Sequence, residues 1–140
     1  MTKKGRYLFD TCLMLYLSRS EPISLLASNV LDAPRAEAGD FFVSGFSAWE
    51  VSLLVSKGRL SLTRVPLDWF REFGKERGVQ VIEATHEILV ASSYLPEPLH
   101  NDPADRILIA TAREHDLTII TRDRAILAYG TAGHVKTLAC

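Results

Sequence analysis

Tyr7-Leu8-Phe9-Asp10-Thr11 decides how the rest of the chain is read. Residues 7–10 read as a short buried strand with a carboxylate at its end, and an apolar helix follows over about Thr11–Leu17. The pattern recurs further along the chain. Phe41–Ser44, Val79–Ile82 and Leu117–Thr121 are apolar runs of strand length, and Val135–Leu138 is a candidate short fifth. Between them lie helical stretches. One starts at Pro22 and runs out at Asp32-Ala33-Pro34. Ser47–Lys57 is too dense in Trp49, Val51, Leu53, Leu54 and Val55 for a strand, and it stops at Gly58. Pro66–Gly78, His86–Tyr94 and Pro103–His115 are the others, and Arg35–Asp40 reads as a polar loop. Strands separated by helices imply right-handed crossovers and a mainly parallel sheet. The expectation is one three-layer α/β/α domain over residues 1–140.

With 140 residues, 47% hydrophobic and 24% charged, the chain has the composition of a globular protein able to bury a core unaided. Asp10 interrupts the apolar residues after Lys3, Lys4 and Arg6, so no signal peptide is expected. No run approaches a membrane span. Cys12 and Cys140 have neither metal-ligand nor redox spacing, so the expected compartment is a reducing cytoplasm. A net charge of −1 excludes a generally basic nucleic-acid coat. It leaves open recruitment of phosphate through a cation.

Asp10, Glu50, Asp105 and Asp123 carry the functional reading. In open α/β folds ligands gather beyond the carboxyl ends of the strands. Carboxylates gathered there repel one another unless a cation lies between them, and Mg²⁺ prefers oxygen ligands. Each residue also has a plainer role. Asp10 suits an N-cap. Ser47-Ala48-Trp49-Glu50 fits a capping box, in which Ser47 and Glu50 satisfy backbone donors reciprocally. Asp102-Pro103 is a usual helix start, which makes Asp102 a cap and leaves Asp105, at the third helical position, as the preferred ligand. Ile109 and Ala112 would then face the core. Asp123 follows its strand by two residues, where loop aspartates are common.

Other chemistries fit less well. His86, His100, His115 and His134 lie outside any nucleophile-elbow or zinc pattern and read as surface or capping residues. Phosphate-cradling glycine loops are absent. Cys12, beside an apolar run, reads as core filler.

These residues together resemble the PIN-domain ribonucleases, in particular the VapC-type toxins of bacterial toxin–antitoxin pairs. The motifs are Leu8-Phe9-Asp10-Thr11, Val43 to Val51 with Glu50, His100-Asn101-Asp102-Pro103-Ala104-Asp105-Arg106 with Ile109 to Ala112, and Thr121-Arg122-Asp123. The likeness spans nearly the whole chain. Cys12 stands where the family usually has Asn or His. The resemblance implies a Mg²⁺- or Mn²⁺-dependent endonuclease acting on RNA. Asp10, Asp105 and Asp123 would ligate the metal, with Glu50 doing so directly or through water. Thr11, Ser47 and Thr121 would hydrogen-bond the carboxylates, and Arg122 and Arg124 flank the site within reach of phosphate. It further implies a homodimer, and an antitoxin laid across apolar residues on the helices of residues 11–31 and 49–57. Two rival readings are a PIN-like module that binds RNA or protein without cutting, and a phosphohydrolase with Asp10 as nucleophile. The second wants an Asp where Cys12 stands.

Overall fold

In a computed structural model of the chain, residues 5–34 and 39–140 are described. Five strands, β1 (Gly5–Phe9), β2 (Gly39–Ser44), β3 (Gln80–Ile82), β4 (Thr118–Thr121) and β5 (Lys136–Ala139), form one parallel sheet in the order β3-β2-β1-β4-β5. Leu8 pairs in register with Phe42 on one side and Ile119 on the other. The fifth strand is therefore real. Of the expected polar loop, residues 35–38 lie outside the described residues, and Gly39 and Asp40 already belong to β2. Gly39 has φ of +104°, and a side chain there would run into the Gly5 carbonyl oxygen, so glycine lets β2 enter beside β1.

The described helices are α1 (Thr11–Ser18), α2 (Leu25–Asp32), α3 (Gly45–Ser56), α4 (Pro66–Arg77), α5 (His86–Ser93), α6 (Pro103–His115) and α7 (Arg124–Thr131). Ser24, not Pro22, begins the second: its hydroxyl accepts from the Ala27 N–H. α4 closes at Gly78 in the left-handed conformation, as its sequence position predicts. No helix among the described residues is long and apolar enough to cross a membrane.

Alternation along the strands divides the core into two layers. Leu8, Phe42 and Ile119 point to one face, where Ile88 of α5, Ile107 and Leu108 of α6, and Ile126 and Tyr129 of α7 cover them. Phe9, Phe41, Val43 and Ile120 point to the other, under Leu13 and Met14 of α1, Ala27 of α2, and Phe70 and Phe73 of α4. This is the expected three-layer α/β/α arrangement. Ile109 and Ala112 are buried, as the α6 pattern predicts.

The strand order fixes where a ligand can sit. From β1 the chain builds outward through β2 to β3, then returns to the opposite side of β1 to form β4 and β5. Helices leave β1 and β4 in diverging directions, and the crevice lies beyond their carboxyl ends. Asp10 follows β1 directly, and Asp123 follows β4 by two residues.

Candidate metal centre

Asp10 is 6% exposed and holds two posts at once. Its Oδ1 accepts from the Cys12 N–H at 3.2 Å, capping α1, and its Oδ2 accepts from the Thr121 hydroxyl at 2.6 Å. Thr121 Oγ1 in turn accepts from the Asp123 N–H at 3.0 Å. One buried hydroxyl at the end of β4 therefore positions both aspartates. Asp123 caps α7 through Oδ1, which accepts from the Ile126 N–H at 3.0 Å. The sequence reading did not include this helix.

Glu50 is held differently from the capping-box expectation. α3 starts at Gly45, and its cap is Ser44, which accepts from the Phe46 N–H at 3.0 Å. Ser47 and Glu50 are thereby one turn inside the helix and free for other partners. Thr11 donates to Glu50 Oε1 at 2.7 Å. Its single proton being used there, the 2.7 Å contact between Thr11 and Ser47 hydroxyls requires Ser47 to donate. Thr11, Ser47 and Thr121, all buried, hold the carboxylates in place.

At the start of α6, Asp102 is the cap, accepting from the Ala104 N–H at 2.9 Å, and Asp105 points into the cluster from the first turn. His100 Nε2 lies 3.2 Å from Asp105 Oδ2. Ligand-capable atoms of His100, Asp105 and Asp123 all fall within 4.8 Å of one another. The sequence reading left His100 among surface histidines, because its place depends on a loop conformation that no spacing rule encodes.

Electrostatics joins the four acids into one group. Burial, then the charges of Asp123, Asp102, Asp10 and Glu50, push the Asp105 carboxyl up to about 7. Asp10 is raised by burial and by Asp123, against the hydrogen bonds from Thr121 and the Cys12 and Thr11 backbone. Glu50 is raised by burial and by Asp10 and Asp102, against its bond from Thr11. All the carboxylate donors are oxygen. The second oxygens of Glu50, Asp105 and Asp123 accept no hydrogen bond among the described residues. A hard divalent cation fits that donor set and relieves the repulsion.

Two further expectations need correcting. Cys12 is exposed, since Leu13 and Met14 take the core-facing positions of α1. Partial withdrawal from water, then the four carboxylates, push its thiol up to about 11. Arg122, expected to flank the site within reach of phosphate, is engaged within the fold. Its guanidinium bonds the Pro22 and Cys140 carbonyls at 3.0 and 3.3 Å and lies 4.0 Å over the Tyr16 ring.

The family model of the PIN domain matches residues 7–131, from β1 through α7. The chain belongs to the PIN family. This PIN domain is 28% identical over 116 residues to Ribonuclease VapC22 of Mycobacterium tuberculosis, covering 81% of the chain and 85% of the relative. In fold it is similar to VapBC2 of Rickettsia felis, solved with a promoter DNA fragment, at a TM-score of 0.68 and 14% identity over 96% of this chain and 98% of that one. A toxin–antitoxin complex from Klebsiella pneumoniae matches at a TM-score of 0.57 and 21% identity, over 86% of this chain and 89% of that one.

Proposed function

We propose that this PIN domain, acting as a single unit, is a metal-dependent ribonuclease that hydrolyses RNA phosphodiester bonds as the toxin of a toxin–antitoxin pair. The observation that carries the reading is the convergence of Asp10, Glu50, Asp105 and Asp123 at the switch point of the sheet, with Asp105 raised to about 7 by burial and then by its acidic neighbours. A module that only binds has no need to sustain such repulsion. The similarity to Ribonuclease VapC22 supports RNA as the substrate.

Asp10, Asp105 and Asp123 would hold Mg²⁺ or Mn²⁺, with Glu50 beside them. A bound divalent cation supplies an acidified water and neutralises charge on the phosphate. The protein's own contribution is placement. Thr121 and Thr11 lock carboxylate orientations, and burial keeps the carboxylates short of solvent compensation, so a cation is strongly preferred over water.

An antitoxin partner is supported by the fold shared with the Klebsiella toxin–antitoxin complex and by apolar side chains left in solvent. Leu25 and Leu26 on α2 are 76% and 68% exposed. Trp49, next to Glu50 on α3, is 54% exposed with Phe46 packed on it at 5.0 Å. A homodimer and a cytoplasmic setting complete the proposal.

The test is incubation of antitoxin-free protein with a mixed RNA pool, with Mg²⁺ or Mn²⁺ and with EDTA, beside Asp10→Asn and Asp105→Asn. Cleavage that needs metal and is lost in both folded variants is expected. Folded, metal-loaded protein that cuts neither this pool nor RNA from its own cells would sink the enzymatic reading and leave the binding module.

A further inference from the structure

The loop before α6 is fastened from beneath by one buried cation. Arg106, 8% exposed, donates from Nε to the Ser92 carbonyl at 2.9 Å. Its Nη1 donates to the Leu99 and His100 carbonyls at 3.2 and 3.0 Å, and Nη2 to Glu97 Oε1 at 3.1 Å. The Tyr129 hydroxyl donates to the Pro96 carbonyl at 2.7 Å, fixing the loop's other end. So many anchors on so short a segment set the place of His100 closely.

The ring's orientation follows from its two nitrogens. His100 Nδ1 accepts from the Asp102 N–H at 3.1 Å. A nitrogen that accepts carries no proton, so the neutral ring bears its proton on Nε2, 3.2 Å from Asp105 Oδ2. Spacing alone admits His100 as a third ligand beside Asp105 and Asp123. Ligation through Nε2 would move the proton to Nδ1, where it would face the Asp102 N–H head-on. The hydrogen-bond pattern therefore opposes ligation.

We propose that His100 is a positioning residue: the Asp102 backbone fixes its ring, and its Nε2 edge, at ion-pair distance from Asp105 Oδ2, holds that oxygen by electrostatic attraction and leaves the other oxygen of Asp105 for the cation. The proposal rests on the metal-centre reading above. It deepens that reading by assigning a residue that does not itself touch metal or substrate.

Two isosteres separate the ring's contacts. His100→Gln places an amide N–H near the Nε2 position, and His100→Asn places an acceptor oxygen near the Nδ1 position. Mn²⁺ affinity would be measured by titration calorimetry on the isolated full chain. Thermal unfolding and the ¹⁴N couplings in the spin-echo spectrum of bound Mn²⁺ would be recorded alongside. Expected are a loss of Mn²⁺ affinity of about tenfold or more in His100→Ala and His100→Asn, and recovery to within about threefold in His100→Gln. Native protein should show no directly ligated nitrogen. If His100→Asn keeps native affinity, the ring only shapes the loop and the proposal fails. A directly ligated imidazole nitrogen in native protein would overturn it in favour of a ligand role. Should native protein bind Mn²⁺ while all three variants bind equally well, only the role of His100 is lost. Native protein that binds no Mn²⁺ at all would remove the metal centre itself.

Discussion

The Asp105 carboxyl is pushed up to about 7 because its first-turn position on α6 withdraws it partly from water and sets it among Asp123, Asp102, Asp10 and Glu50. The consequence for stability has a definite sign. A carboxyl raised from 3.8 to about 7 on folding binds its proton more tightly in the folded chain, so it favours folding fully below 3.8. That contribution is lost as pH rises through about 7. In EDTA, Tm is expected to fall between pH 5 and pH 7.5, and saturating Mn²⁺ should flatten the slope by removing the repulsion. Asp105→Asn should flatten it without metal. A metal-free Tm that rises across that interval would contradict the account.

Two acids in one turn of one element do different work. At the start of α6, Asp102 closes the backbone and Asp105 faces the cluster. Asp102→Ala is expected to cost about 1 kcal/mol in urea unfolding and to leave Mn²⁺ binding close to native. Asp105→Asn should do the reverse, raising metal-free stability and abolishing Mn²⁺ binding. This division was legible in Asp102-Pro103-Ala104-Asp105, because cap and first-turn positions are set by local geometry. Elsewhere local pattern misled. Ser47-x-x-Glu50 has the spelling of a capping box, yet Ser44 takes the cap, and nothing in the spelling separates two serines three residues apart. Cys12 follows the apolar β1 and precedes two core residues, but one step around a helix rotates a side chain by about 100° and carries it out of the core. α7 is not legible in the sequence, because its eight residues include Gly130 and its start signal, Asp123, also fits a loop aspartate after a strand.

For the molecule as a whole, parallel strands bring Asp10 and Asp123, which follow β1 and β4, to one edge, and Glu50 and Asp105 come to it from α3 and from the first turn of α6, an arrangement that could be anticipated from sequence. That the strand before Asp123 runs parallel and close to that of Asp10 was legible in the same way, but the full strand order was not, since pairing between distant segments is set by how the two core layers fill. Arg122 ties the turn before α2 to Cys140, just past β5, across the Tyr16 ring. Arg122→Ala is expected to lower stability by about 1–2 kcal/mol and leave KM for RNA unchanged. An unchanged Tm with a raised KM would restore it as a phosphate contact. The hydroxyl of Thr121 reaches back across 111 residues of sequence to Asp10. A ribosome making this chain has already released Asp10 and Glu50 long before it adds Thr121 and Asp123. Until β4 docks against β1, the growing polypeptide holds only half of the proposed metal site. On the proposed function, a polypeptide that has not yet gained β4 could not cut the very RNA that encodes it.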